Sequence, residues 1–350
     1  MLEIGREERR ALAARGLFVP VPWDRKGRMG PTRQGTRNGS WRRSSHGLWV
    51  PSGVERSPEQ RILEAAMVLP GHGGVTGWAA LRWMRAAWFD GLGPNGIERP
   101  VWLVTAGDHI RPQPGIAVSA ERLALSDLMT FGGLRLTLAV RSVWFEMRYA
   151  RDARAAAVVL SMAAYSDLVS VDELADYAYE HPAWTGAPQC RAGAAMAYEN
   201  CWSPMEVETA NVWHVDAELP HLRCNRPLFD LSGRHLGTPD LFDPVAGLVI
   251  EYEGEIHLDK ARRASDVRRE ELFRRHGLNY MAVVGADLAD KWSLVERMQS
   301  TRRRSPFTPC ADRAWTDELP ASWTPTHTVA LRRQLSDDQR ARLLGYRLSA

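Results

Sequence analysis

The hydrophobic and polar positions are most telling around Leu248-Val249-Ile250, a short apolar run entered from the turn Asp243-Pro244-Val245-Ala246-Gly247 and ended by Gly254. A β-branched run between turn signals predicts a buried strand over Gly247–Glu253. Successive side chains on a strand point to opposite faces, so Glu251 and Glu253 are expected on one face and Ile250 and Tyr252 on the other. Two acids beside a buried strand repel each other and lose hydration. A cation is therefore expected between them, either Arg, Lys or a divalent metal. Asp240 is expected to add a third carboxylate.

Around that strand the pattern predicts the order helix (Ser203 to about Ala217), strand (Leu228–Leu231), strand (Leu236–Phe242), strand (Gly247–Glu253), helix (Lys260–His276), strand (Asn279–Val284) and helix (Leu288 to about Ser300). Ser232-Gly233 suits a hairpin turn between the first two strands. Toward the amino terminus, a short helix over Arg6–Arg15 is stopped by Gly16. Ser57-Pro58-Glu59 caps a helix to about Leu69, and Val75–Trp83 begins another, with Trp78 and Trp83 expected in the core. Val101–Thr105, Ile116–Ser119 and Leu134–Thr137 read as strands. Arg141–Tyr149 and Asp152–Tyr165 read as helices, and Ser170-Val-Asp-Glu173 caps a further one. Pro182, Gly186 and Pro188 mark a linker at His181–Gln189. The expected division is 1–56, 57–185, 186–300 and a tail 301–350 whose last amphipathic segment is Leu331–Leu344.

The 350 residues leave room for two or three modest domains, and 45% hydrophobic with 25% charged residues is ordinary for a globular protein. Charged residues at the amino terminus leave no signal core. The longest apolar run, Ala155–Tyr165, is too short to span a bilayer, so a cytoplasmic protein without a membrane partner is expected. Cys190, Cys201, Cys224 and Cys310 lack metal-ribbon spacing and read as free thiols. A zinc site of Cys201, His214, His221 and Cys224 matches no standard pattern. The net charge of +3 is modest, but seven basic residues and no acid lie between Arg25 and Arg43. Such a stretch is either a solvated loop or a phosphate contact, with Trp41, Trp49, Ser44 and Ser45 as stacking and hydrogen-bonding partners.

Pro239-Asp240, ten intervening residues, then Glu251-x-Glu253-Gly254-x-x-His257 resembles the PD-(D/E)xK nuclease superfamily, and within it the branch similar to very-short-patch-repair endonucleases. The resemblance implies a mixed α/β protein with a restriction-endonuclease-like αβββαβ core. It also implies Mg²⁺ or Mn²⁺ held by Asp240, Glu251 and the carbonyl of Tyr252, with Glu253 and His257 in catalysis. The superfamily's Lys is replaced here by Glu253, and Lys260 is the residue expected to replace its charge. Glu206 has two readings, closure of a capping box begun by Ser203 or a further acid at the metal. Arg268 and Arg269 are expected to approach the DNA backbone, unless helical spacing pairs the arginines of that helix with Asp266, Glu270 and Glu271.

The run from Gly30 through Trp41-Arg42-Arg43-Ser44-Ser45 to Pro51 resembles the wing end of the small winged-helix domain of AbiEi-type antitoxins, and the helical and β middle region resembles their central part. That resemblance implies DNA contacts from Arg33, Arg37, Arg42 and Arg43, and a toxin or a second copy of the chain as partner. The expected function is a Mg²⁺-dependent DNA endonuclease in defence or repair. The alternative is a catalytically inactive DNA-binding regulator of the antitoxin type.

Overall fold

The computed structural model describes residues 4–93, 96–111, 113–254, 260–345 and 347, with the side chains of 260–266 outside the description. The fold is mixed α/β, and its contacts gather into two compact units, Ala150–Gly345 and the chain before it. The linker-like stretch His181–Gln189 lies inside the second unit. There the helix Ala187–Ala195 packs on Ala153–Tyr165, and Gly193 lets the two backbones meet: a Cβ at that position would stand 2.8 Å from that of Ala156.

In the first unit the helix Arg6–Ala14 is closed at its start by Glu8, whose carboxylate accepts from Gly5 N–H at 2.7 Å. A three-stranded sheet follows, with Leu48–Pro51 between Val21–Pro22 and Trp41–Ser45. Gly47 turns the hairpin at φ +80°. The basic loop before it is organised by Asp24, whose carboxylate accepts from the backbone N–H of Lys26, Arg28 and Met29. Those three bonds hold the Asp24 carboxyl below its ordinary range.

A five-stranded sheet runs in the order Ile116–Ser119, Val101–Val104, Gly74–Thr76, Leu134–Thr137, Leu128–Phe131. The helices Pro58–Ala66, Gly77–Trp83 and Ala139–Arg148 bring Trp78, Trp83 and Trp144 fully into its core. The central Gly74–Thr76 strand was not expected. It is three fully buried residues without alternation, and it turns straight into the helix that the pattern detected.

The second unit is built on a mixed sheet in the order Asn279–Val284, Leu248–Glu253, Leu241–Asp243, Arg223–Cys224. Leu248–Glu253 pairs parallel with Asn279–Val284, and the helix Lys260–Arg275 makes the crossover. The strand expected over Leu236–Phe242 is two strands in two sheets. His235–Gly237 pairs with Leu228–Asp230, which pairs in turn with Trp315–Thr316, whereas Leu241–Asp243 belongs to the four-stranded sheet. The break falls where the crossover helix presses down on Gly237, so closely that a Cβ would lie 2.7 Å from the Phe273 ring.

Asp243 is a turn residue, as expected, but not a surface one. It is 1% exposed, accepts from Val245 and Ala246 N–H, and takes Arg302 Nε at 2.8 Å. Arg302 is thereby tied to the sheet. The segment from Arg302 on is likewise no detached tail, since Trp315 sits in the core with Phe242 and Arg332 is fully buried. Among the described residues no helix is long and apolar enough to cross a membrane.

Candidate functional site

Leu241 opposes Ile250 and Phe242 opposes Val249 in the antiparallel pair. One step further along that register Asp240 faces Glu251 across the strands, on the same side as Phe242 and Val249. The pairing is fixed by a side chain as well: Asp240 Oδ2 accepts from Tyr252 N–H at 2.8 Å. Glu251 is 4% exposed. The counter-charge expected from the sequence is an arginine, with Arg269 of the crossover helix placing Nη2 3.4 Å from Glu251 Oε2. Glu253 lies exposed at the strand end. The Tyr280 hydroxyl on the neighbouring strand registers both acids: burial first, then Glu251, Glu253 and Glu270, push its pKa up against the opposing charge of Arg269.

Glu206 reaches the same place from the helix Pro204–Asn211. Ser203 Oγ caps that helix by accepting from Glu206 N–H at 3.2 Å, but the Glu206 carboxylate does not complete a capping box on the Ser203 backbone N–H. It accepts from Trp202 N–H at 2.7 Å and from Asn225 Nδ2 at 2.7 Å. Asn225, unforeseen in the sequence, also donates its backbone N–H to Asp240 O at 2.8 Å. It sits at φ +45°, a conformation that asparagine tolerates better than most residues, which was the one local signal available. Burial, and then the charge of Asp240, push the Glu206 carboxyl up to about 7, against the hydrogen bonds from Trp202, Asn225 and Ser203.

That shift has a sign. An acid whose folded pKa exceeds its unfolded one binds more protons in the native state, so its stabilising contribution is complete below its ordinary 4.5 and is lost as pH rises to about 7. Urea denaturation of wild type and Glu206→Gln across that window is expected to show wild type losing a few kcal/mol relative to the variant, at about 1.4 kcal/mol per pH unit. Parallel curves would remove Glu206 from the charge cluster.

His257 lies outside the described residues, as does the side chain of Lys260, whose backbone opens the crossover helix. Arg268 is exposed on that helix. Two neighbouring arginines pair at helical spacing, Arg274 with Glu270 and Arg275 with Glu271.

In the first unit Arg33 and Arg37 are exposed on the short helix Arg33–Arg37. Arg42 is held by both oxygens of Glu64, at 2.6 and 2.9 Å. Arg43 lies 2.7 Å from His46 Nδ1 and donates through Nε to Ser45 O at 3.2 Å. Trp41 is half-buried, edge-on to Phe18.

All four thiols are free. Cys201 is wholly enclosed beside Cys224, and burial pushes its thiol pKa well up. His214 and His221 stack at 3.6 Å, with His214 Nδ1 on Leu219 O, so the four do not assemble as a zinc site.

Among the described residues no three His, Cys, Asp or Glu side chains converge tightly enough to hold a metal. The set expected for Mg²⁺ asks for less, two carboxylates and a main-chain carbonyl, because this hard ion keeps several waters. Asp240 and Glu251, with the carbonyl of Tyr252 directly after Glu251 in the chain, fit that requirement in donor type. Burial first, and then the charge of Asp240, raise Glu206, so these two acids lie close enough to repel each other. Scans of this chain against protein-family models, curated proteins and solved structures find no match.

Proposed function

We propose that this chain hydrolyses phosphodiester bonds in DNA with Mg²⁺ or Mn²⁺ held at Asp240, Glu251 and the Tyr252 carbonyl. The observation that carries the reading is the Asp240 carboxylate held by the N–H of Tyr252, the residue after Glu251, with the Glu206 carboxylate close enough to feel Asp240. The parallel pairing of Leu248–Glu253 with Asn279–Val284 through the crossover helix Lys260–Arg275 supports the same reading.

A bound Mg²⁺ would neutralise phosphate charge and lower the pKa of an attacking water. The chain's own groups do the rest. Tyr252 N–H orients Asp240. Glu206, poised near neutral pH, can hold or release a proton at Oε1 or Oε2. Arg269 brings a positive charge to Glu251 on the face where a phosphate would lie. The exposed Arg33 and Arg37, with Arg43, supply sequence-independent backbone contacts.

A DNA-binding regulator without catalysis is the second reading, and Arg269 is the observation that favours it. Its guanidinium already gives Glu251 a counter-charge in the position where a nuclease would place metal. Calorimetric titration with Mn²⁺ separates the two. Wild type is expected to bind and Glu251→Gln to lose binding by at least tenfold. Absence of binding by wild type, or equal binding by the variant, retires the nuclease.

A further inference from the structure

Behind the strand Arg223–Cys224, on the edge of the four-stranded sheet, lies a cleft of about 380 Å³ whose lining includes Tyr198, Glu199, Arg223, Arg226 and His327. Its size falls within the range of small-ligand sites, about 300–1,000 Å³. Its floor is apolar, with Leu222 and Cys224 both buried.

Two arginines stand on its walls, and they are held in place. Arg226 donates through Nε and Nη2 to the carbonyl of Asp317 at 3.1 and 2.8 Å, and its Nη1 lies 3.5 Å from His327 Nδ1. Arg223, half exposed, ion-pairs with the Asp317 carboxylate, which lies 3.8 Å from Arg226 Nε. Two guanidinium groups therefore share one acid. Glu199, the acid of the lining, keeps its charge, and its two oxygens accept from Val171 N–H at 2.9 Å and Val329 N–H at 2.8 Å. Burial and the charges of Arg226 and Arg332 keep His327 below its ordinary pKa, hence neutral at pH 7.

Asn225, between the two arginines in sequence, is the residue that holds Glu206 and the Asp240 backbone. The cleft and the carboxylate cluster thus share one strand end. We propose that Arg223 and Arg226 form a phosphate subsite at this strand end, for a nucleic-acid strand that runs past Asp240. The assignment rests on the nuclease reading for its source of phosphate, while the donor chemistry alone would also accept a free phosphate. A guanidinium pre-positioned by a carbonyl suits such a group, because little further ordering is needed to bind it.

The test is fluorescence anisotropy of a labelled single-stranded oligonucleotide in EDTA, where binding is read apart from any cleavage, on wild type, Arg223→Gln and Arg223→Lys. Arg223→Gln is expected to weaken binding roughly fivefold and to lower the salt slope by about 0.7, the share of one strand phosphate, while Arg223→Lys keeps the slope. A second arm follows thermal melting with orthophosphate, and the same melts confirm that the variants fold. Stabilisation of wild type but not Arg223→Gln, with oligonucleotide binding unaltered, keeps the site and assigns it to free phosphate. Unaltered oligonucleotide affinity together with no phosphate effect that depends on Arg223 overturns the proposal, whatever becomes of the metal at Asp240.

Discussion

Asp240→Asn is expected to reduce DNA cleavage by purified protein with Mg²⁺ or Mn²⁺ by roughly a thousandfold or more, about 4 kcal/mol of barrier, while DNA affinity stays within about twofold. The substitution preserves the shape of the side chain and an amide oxygen that can still accept the Tyr252 N–H, so the register between Leu241–Asp243 and Leu248–Glu253 survives. What it removes is one negative charge at the centre of the cluster. The same change withdraws the repulsion that raises Glu206, so the Glu206 titration should move toward its ordinary 4.5. Affinity for DNA should persist because the proposed reading assigns it to arginines, whose charge the substitution leaves intact. Cleavage is to be followed on single-stranded, duplex and mismatched substrates, with thermal melting as the folding control. A wild type that binds DNA and cuts none of these leaves the regulator as the function, and an Asn variant that still cuts places the reaction elsewhere.

Arg332→Ala is expected to destabilise the second unit by about 3–5 kcal/mol, the cost of breaking a buried ion pair by removing one partner. Arg332 is fully buried, with Nε 2.5 Å from Asp167 Oδ1, Nη1 on Thr326 O and Nη2 on Ala164 O and Glu199 O. Its loss strips four acceptors at once and leaves Asp167 with Arg340. The neighbour Arg333 is the control. Its pair with Glu173 is well exposed on both sides, and exposed pairs contribute about 0–1 kcal/mol. Urea denaturation of Arg332→Ala and Arg333→Ala should therefore differ by several kcal/mol. Similar midpoints would mean that the carboxy-terminal segment is not clasped through Arg332.

The helix starts were legible because their determinants are local. Ser57, Ser170 and Ser203 each cap the helix that begins after them, with the hydroxyl accepting from an N–H three residues on. The central strand was legible for the same kind of reason. Its β-branched run, bounded by a turn and a glycine, gave both its extent and its alternation, and Leu248–Glu253 formed as read. From alternation alone came the shared face of Glu251 and Glu253, and from the cost of paired acids came the need for a cation.

Which cation, and from where, no local pattern contained. Arg269 is eighteen residues beyond Glu251 and reaches it only because the crossover helix folds back over the sheet. Arg42 looked free in a stretch without acids until the fold brought Glu64 to it. Asp243 read only as part of a turn until Arg302 met it from 59 residues on, and Glu206 had two readings until the fold turned its carboxylate to Trp202 N–H and Asn225 Nδ2. The break at Gly237 likewise depends on Phe273 pressing from a distant helix, and the burial of Arg332 on helices far upstream. Propensity, capping and face alternation act over a few residues, so the capped helices and the strand Leu248–Glu253 could be read locally in the sequence, whereas the strand Gly74–Thr76 and the division of Leu236–Phe242 could not. The partners of its charged groups are separated by tens to more than a hundred residues, and burying a charge is tolerable only where such a partner meets it, so tertiary packing alone decided which acids and bases became structure and which stayed available for chemistry.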